Sequence, residues 1–146
     1  MGLRRRAREA ALQLLYEIDL CQKNSSDLSP ESIRDDLLIQ VNEDEEPLEP
    51  DMSQFCRDLV TGVARNVGEI DRLIESHSTH WKISRMALVD RNILRMAVFE
   101  LLYCEDIPAS VSINEAIEIG KRFGTEESGS FINGVLDHIA KDLKKR

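Results

Sequence analysis

Four arginines stand close together near the start of the chain, at Arg4, Arg5, Arg6 and Arg8. The planar guanidinium group matches the geometry of phosphate oxygens, so this cluster is suited to phosphate contacts. Tyr16 follows on the same predicted helix and offers a ring on which an unpaired base can stack. A flexible basic tail and a tyrosine packed inside the protein are the alternatives, so neither feature alone identifies a nucleic-acid partner.

The sequence carries no enzymatic signature. There is no glycine-rich phosphate loop and no Gly-x-Ser-x-Gly motif. His77 and His80 lie three residues apart, a spacing that can join two metal ligands, but no third ligand is near them and we expect ordinary surface histidines. His138 is expected on the surface of the last helix. These patterns predict a protein that is not an enzyme and has no catalytic residue, cofactor or metal ion.

Cysteine usage and hydropathy indicate the compartment. Cys21, Cys56 and Cys104 are odd in number and form no Cys-x-x-Cys pair, so we expect neither a disulfide framework nor a zinc site. No apolar run approaches the roughly 18 residues that a membrane span needs. Glu9 and Glu17 interrupt any apolar stretch of the signal-peptide type. The sequence therefore predicts a cytoplasmic protein without membrane contact.

Charge is unevenly distributed along the chain. The formal net charge of −8 argues at first against a nucleic-acid binder, whose domains are usually basic. Residues 24–54 hold one basic and ten acidic side chains, so they contribute −9 and leave +1 for the rest. Residues 42–51, with two prolines and six acids, are expected to form an exposed loop. Any RNA-binding face must therefore be local, near the first helix.

Apolar residues recur at three- and four-residue steps through most of the chain, which is the period of an amphipathic helix. No segment alternates with the period of two that is typical of a strand. Ala87, Ile93, Leu94 and Val98 are among the expected core positions. The pattern predicts an all-α fold, with helices over about 3–22, 29–41, 52–75, 84–103, 112–123 and 128–143.

Local signals predict where several helices begin and end. Ser84 is expected to cap the helix that follows it, and Ser112 and Glu115 have the spacing of a capping box. Gly124 is expected to end the preceding helix in a left-handed conformation. Gly134, in the second turn of the last helix, is expected to let another helix approach closely.

Taken as an ordered set, the motifs resemble one family. Residues 4–16, Arg-Arg-Arg-Ala-Arg-Glu-Ala-Ala-Leu-Gln-Leu-Leu-Tyr, resemble the opening of the bacterial transcription antitermination factor NusB family. Residues 92–101, Asn-Ile-Leu-Arg-Met-Ala-Val-Phe-Glu-Leu, resemble its central helix. Its C-terminal signature is similar to Ile107-Pro108, residues 111–119 (Val-Ser-Ile-Asn-Glu-Ala-Ile-Glu-Ile), Lys121, Phe123-Gly124 and residues 131–137 (Phe-Ile-Asn-Gly-Val-Leu-Asp).

The resemblance implies a fold and a function. The fold would be a single NusB-like domain over 1–146, with about seven helices in two sub-bundles, about 1–80 and about 81–146. The function would be transcription antitermination, by binding the boxA element of single-stranded leader RNA together with the ribosomal protein NusE. This complex would load onto elongating RNA polymerase, chiefly during transcription of ribosomal RNA.

The resemblance also assigns roles to residues. Asp90 and Arg91, just before the central motif, would contact NusE. Core packing is the alternative for Phe131, because aromatic side chains are usually buried, and Asn114 and Glu115 are interpreted as helix-capping residues. The residues implied to contact RNA are Arg4, Arg5, Arg6, Arg8, Tyr16, Lys121, Glu127 and Phe131.

Two other functions stay open at this point. NusB-like domains resemble the N-terminal part of some ribosomal RNA cytosine methyltransferases, so the chain would be a module of such a system. A helical protein-interaction scaffold is the other alternative. In that case the second apolar stripe of the first helix, Leu12, Tyr16 and Leu20, would bind a protein or form a homodimer.

Overall fold

The structure is a computed structural model that describes residues 3–21, 49–79 and 81–143. These residues form six α-helices and one 3₁₀ helix without a β-strand, which confirms the all-α prediction. No helix within them has the length and apolar character to cross a membrane. The predicted helix over 29–41 and most of the acidic loop lie outside the described residues. The helices are α1 (Leu3–Leu20), α2 (Pro50–Arg65), α3 (Val67–His77), the 3₁₀ helix (Ile83–Arg85), α4 (Leu88–Tyr103), α5 (Ala109–Phe123) and α6 (Ser128–Asp142).

The chain divides into two compact units, Met1–Arg65 and Asn66–Arg146. The division falls before α3, whereas the sequence placed it near residue 80. The expected single helix over 52–75 is also two helices, because Asn66 leaves the helical conformation with φ −117° and ψ 18°. The apolar period runs on through Asn66, but α2 packs against α1, and α3 packs against α4 and α6 of the second unit.

In the first unit, α1 and α2 pack along their apolar faces. Small residues lie on the inner side of α1, where Ala7, Ala10 and Ala11 are fully buried. Leu59 and Val60 of α2 are also fully buried. Short side chains allow the two helices to approach closely. The apolar surface that this contact removes from water stabilises the pair.

The second unit is built around α4, whose apolar residues meet those of α5 and α6. Ile93, Leu94 and Val98 of α4 are fully buried, as are Ile132 and Leu136 of α6. This packing accounts for the near-continuous apolar sequence of the central motif, because a helix covered on several sides has little room for polar residues.

Polar contacts hold neighbouring helices onto α4. Arg95 forms a bidentate salt bridge with Asp71 of α3, in which Nε and Nη2 donate to the two carboxylate oxygens at 2.8 and 2.9 Å. Glu100 is buried and accepts a 2.9 Å hydrogen bond from the hydroxyl of Ser112 on α5. Such paired geometry satisfies groups whose burial would otherwise be costly.

Two predicted helix starts are wrong. Ser84 lies inside the 3₁₀ helix, and α4 begins only at Leu88 because Met86 and Ala87 are extended (ψ near 148° and 142°). Ala87, expected in the core, is exposed. Ser112 and Glu115 do not form a capping box at the helix start, because α5 begins three residues earlier at Ala109, where the Pro108 carbonyl already accepts from the amide of Ser112.

The predictions for two glycines are also corrected. Gly124 does end α5, but in an extended conformation (φ −98°) rather than a left-handed one. Glycine is needed there because a Cβ would lie 2.7 Å from the Cβ of Ser128. Gly134 faces open space, because a Cβ at that position would have no neighbouring atom within 4 Å, so it does not serve a close approach. Gly120 does, because a Cβ there would lie 2.7 Å from Cδ1 of Ile132.

His77 is not the surface residue that the sequence suggested, because its side chain is only 9% exposed. Its Nε2 lies 2.6 Å from the carboxylate of Asp142 at the end of α6, and its ring meets the ring of His138 edge-on, with centroids 4.8 Å apart. The hydrogen bond from His77 holds the pKa of Asp142 below its ordinary value. His138 is exposed as predicted, and His80 lies outside the described residues.

We expect Ser112→Ala to lower the free energy of unfolding by about 1–3 kcal/mol, because the buried Glu100 carboxylate loses a hydrogen-bond donor. Urea denaturation followed by circular dichroism measures this change. Ser110→Ala on the same helix is the control, since Ser110 is exposed and its change is expected to stay within about 0.5 kcal/mol. Equal urea midpoints for the two variants would contradict this role of Ser112.

Alanine at the two glycines is expected to have opposite effects. Gly124→Ala should destabilise by about 1–3 kcal/mol, because its methyl group collides with Ser128. Gly134→Ala should stabilise by roughly 0.5–1 kcal/mol, because alanine favours a helix interior over glycine and meets no neighbour. Thermal unfolding of both variants tests this pair, and a shift in the same direction would refute it.

The stability contributed by Asp142 should depend on pH. A carboxyl whose pKa is lowered by folding stabilises the folded state at pH values above the ordinary aspartate pKa of about 3.9. It loses this contribution as the pH falls through the lowered pKa. At pH 7 the wild-type protein should therefore unfold at a higher urea concentration than Asp142→Asn. This difference in urea midpoint should shrink below about pH 4. A difference that is constant between pH 7 and pH 3 would exclude this contact as its source.

Candidate nucleic-acid interface

The arginine cluster lies in the first turns of α1, which begins at Leu3. The arginines are therefore part of a helix rather than a flexible tail. Arg4 is exposed, and Arg5 and Arg6 are partly buried. Consecutive helical residues differ by about 100° in direction, so these three side chains surround the helix end instead of sharing one face. Positive charge there adds to the positive end of the helix dipole, a combination that attracts anions.

Arg8 has a different environment, since only 3% of it is exposed. Its guanidinium lies 5.4 Å from the ring centroid of Phe55 on α2, and that of Arg4 lies 5.0 Å from the same centroid. Both are cation–π distances. Arg8 thus packs α1 against α2. The motif implied that it contacts phosphate, but its burial leaves almost none of the side chain accessible to such a ligand. The i, i+4 spacing of Arg4 and Arg8 signals a shared face, but not the aromatic partner.

Tyr16 is partly buried and lies on the same side of α1 as Arg5. The two residues are eleven positions apart, which corresponds to about 20° in direction and roughly 16 Å along the helix axis. One ligand that touches both must therefore be extended. The stripe around Tyr16 runs from a buried Leu12 to an exposed Leu20, so the tyrosine sits where the packed face of α1 meets solvent.

In the second unit, three predicted RNA contacts lie around the turn between α5 and α6. Lys121 is in the last turn of α5, where its side chain is 63% exposed and its ammonium lies 3.5 Å from a carboxylate oxygen of Glu118. Glu127 is exposed just before α6. The amide of Phe131 donates to the carbonyl of Glu127 at 3.1 Å, so these two residues are one helical turn apart. Phe131 is partly buried, so its exposure is intermediate between that of a core residue and that of an exposed RNA contact.

Ser128 connects this turn to the candidate partner contact on α4. Its hydroxyl accepts from the amide of Thr125 at 2.9 Å and donates to Oδ1 of Asp90 at 2.7 Å. The residue is 1% exposed, so these bonds are shielded from water. The sequence interpretation missed Ser128, although serine near a helix start is a common capping signal. Arg91 donates to the carbonyl of Ile83 at 3.3 Å, which ties the 3₁₀ helix to α4.

The polar groups of this candidate interface are suited to binding a ligand. Guanidinium, ammonium and carboxylate groups near aromatic rings can hold phosphates and bases. Within the part of the chain that the structure describes, no cluster of three histidine, cysteine, aspartate or glutamate side chains is arranged to hold a metal ion. Burial raises the pKa of the Cys56 thiol to about 12, so this cysteine is not a nucleophile.

Comparison with known proteins identifies the family. The NusB family model matches residues 5–141. The transcription antitermination protein NusB of Desulfatibacillum aliphaticivorans is 52% identical over 145 residues, which cover 99% of this chain and 94% of that protein. The structure of T. maritima NusB matches with a TM-score of 0.77 at 37% identity, covering 95% of this chain and 91% of that one. A chain in the crystal structure of antitermination factors NusB and NusE in complex with dsRNA matches with a TM-score of 0.78 at 30% identity, covering 97% and 98%. This chain belongs to the NusB family.

Proposed function

We propose that this protein is a transcription antitermination factor that binds boxA-type leader RNA together with NusE and acts in the RNA polymerase antitermination complex, chiefly on ribosomal RNA genes. The observation that carries the proposal is the match over nearly the whole chain to a protein solved with both NusE and RNA. The basic N-terminal end of α1 supplies the local positive charge that such a function requires.

The RNA-contacting residues in this proposal come from both units. Arg4, Arg5 and Arg6 contact phosphates, and Tyr16 stacks on a base. Arg8 acts indirectly, because its contact with Phe55 fixes the helix that bears the other arginines. In the second unit the contacts are Lys121, Glu127 and Phe131, which lie around one turn. The RNA is single-stranded where it meets the aromatic rings, since a base in a duplex has no free face to stack.

NusE binds at the start of α4 in this proposal, through Asp90 and Arg91. Asp90 is held by Ser128, so its carboxylate has a fixed position before a partner arrives. A protein with net charge −8 attracts a basic partner, and such a partner beside the RNA offsets the repulsion between the two acidic molecules.

Antitermination is favoured over the other two functions. The chain spans 94% of the length of a relative named as a transcription antitermination protein, which supports a binding factor rather than a methyltransferase module. The family is one of transcription factors and not of enzymes. Transcription in bacteria takes place in the cytoplasm, so we place the protein there. A scaffold or homodimer without RNA is an outcome that the following experiment can detect.

Replacing Arg5 and Arg6 by alanine should weaken binding of single-stranded boxA RNA in the presence of NusE by about tenfold or more, and should flatten its salt dependence. Each lost phosphate contact removes one counterion released on binding, which reduces the slope of log K against log salt by roughly 0.7. Fluorescence anisotropy with labelled RNA at several salt concentrations measures both quantities.

A charge-matched control separates local contacts from net charge. Arg65→Ala combined with Arg72→Ala also removes two positive charges, from exposed positions outside the cluster. We expect this control to retain most of the affinity and the wild-type salt slope. If both double variants lose affinity equally, the cluster is not the contact site. If wild type forms no ternary species with NusE and RNA on size-exclusion chromatography, the proposed function is wrong.

A further inference from the structure

An aromatic side chain at the end of α5 is left exposed by the fold. Phe123 is the last residue of the helix and is 45% exposed, although aromatic side chains usually contribute to the core. The guanidinium of Arg122 lies 5.0 Å from the centroid of its ring, within cation–π distance. The side chain of Lys121, the residue before this pair, is 63% exposed, and its ammonium lies 3.5 Å from a carboxylate oxygen of Glu118. Two cations and a ring thus occupy three consecutive positions.

The turn that follows fixes the backbone from which this ring projects. The amide of Gly124 donates to the carbonyl of Gly120 at 2.9 Å, which closes the helix immediately after Phe123. The absence of a Cβ at Gly124 lets Ser128 pack against it, and Ser128 in turn binds the amide of Thr125. Because the helix end is already fixed, a ligand that stacks on the ring orders only the side chain and not the backbone.

The charges alone have a simpler explanation, since basic residues in the last turn of a helix complement its dipole. That explanation does not account for an exposed ring beside them. Stacking of a base beside an arginine is a common arrangement in single-strand RNA recognition. Phe123 also lies at the same α5–α6 turn as Lys121 and Glu127, which the proposed function already places against RNA.

We propose that Phe123, with the guanidinium of Arg122 beside it, is a stacking site for an unpaired base of the bound RNA, and that Arg122 and Lys121 contact the flanking phosphates. This inference rests on the proposed function and adds two residues to it. The site requires a base that is free to leave its own stack, so it acts on single-stranded RNA and not on a duplex.

The first test compares affinities for a labelled single-stranded boxA RNA at saturating NusE. Phe123→Ala should weaken binding by about tenfold, the size expected for loss of one stacked base. Phe123→Trp should keep or improve the affinity, because a larger ring also stacks. Val111→Ala is the matched control, since Val111 is an exposed apolar residue near the other end of α5, and its affinity should stay within about twofold of wild type.

A spectroscopic readout reports stacking directly. Trp81 is the one tryptophan of the chain, so Trp81→Phe combined with Phe123→Trp places the sole indole at the proposed site. Single-stranded RNA should quench its fluorescence, whereas a duplex of equal length should leave it nearly unchanged. Absence of quenching at saturating single-stranded RNA overturns the stacking assignment.

The outcomes separate this inference from the function on which it rests. If wild type does not bind RNA with NusE, the proposed function fails. If wild type binds and Phe123→Ala binds equally well, only the stacking site fails. If Phe123→Ala loses NusE binding in the absence of RNA, the ring is a protein contact and the inference is overturned. Circular dichroism checks that Phe123→Ala is folded, and the Phe123→Trp quenching result decides the matter if it is not.

Discussion

The burial of α4 is the constraint on which the second unit depends. Its apolar residues meet α5 and α6, and even Asn92 and Glu100 are almost inaccessible to water. A buried carboxylate or amide must find partners. Asn92 finds them within α4, because its amide donates to the carbonyl of Leu88 at 2.8 Å and its side-chain oxygen accepts from Arg95 at 3.3 Å. Glu100 and Arg95 instead meet side chains of neighbouring helices. Asp71 of α3 receives Arg95, and Ser112 of α5 donates to Glu100. The same contacts that satisfy these groups also set the register of each neighbouring helix.

The candidate site takes its geometry from this packing. Asp90 is in the first turn of α4, and its carboxylate accepts the hydroxyl of Ser128, the first residue of α6. Ser128 also packs on Gly124 at the end of α5. Three helix ends therefore meet at one buried hydroxyl. The proposed NusE contact Asp90 is bound directly to this hydroxyl, and the proposed RNA contacts Lys121 and Glu127 lie on the two helix ends that it joins.

Local sequence patterns predicted the helices of this fold, but not all of their boundaries or the contacts between them. The three- and four-residue period placed α1 and α6 almost correctly and gave the end of α4, because apolar residues recur at helical spacing in each of them. The break at Asn66 was missed because the apolar period continues through it, and only the packing of α2 and α3 against different neighbours separates them. Ser112 has the spacing of a capping residue, yet its hydroxyl goes to Glu100, which lies on another helix.

The same distinction holds for the site. Motif residues such as Lys121 and Glu127 were found from their resemblance to family motifs, and the structure places them at an exposed turn. Arg8 shows what a motif cannot reveal, because its burial depends on Phe55, a residue 47 positions away on another helix. Ser128 was missed for the converse reason: its importance comes from its contacts with Asp90 and Thr125 rather than from its own chemistry. Exposure and partners are properties of the fold, and no local pattern contains them.

Electrostatics links the uneven charge to the need for a partner. In the proposed function the local arginines attract phosphate at short range, where a contact displaces bound counterions. At distances up to about 8–10 Å, the range over which charge acts at ordinary ionic strength, the net charge of −8 repels the same RNA. Added salt weakens the attraction between arginine and phosphate and also screens the repulsion by the net charge. For the protein alone, the slope of log K against log salt must therefore be shallower than the number of phosphate contacts would give. A basic partner removes the repulsion without removing the contacts. It therefore increases RNA affinity even where it does not touch the RNA, and it makes the salt dependence steeper.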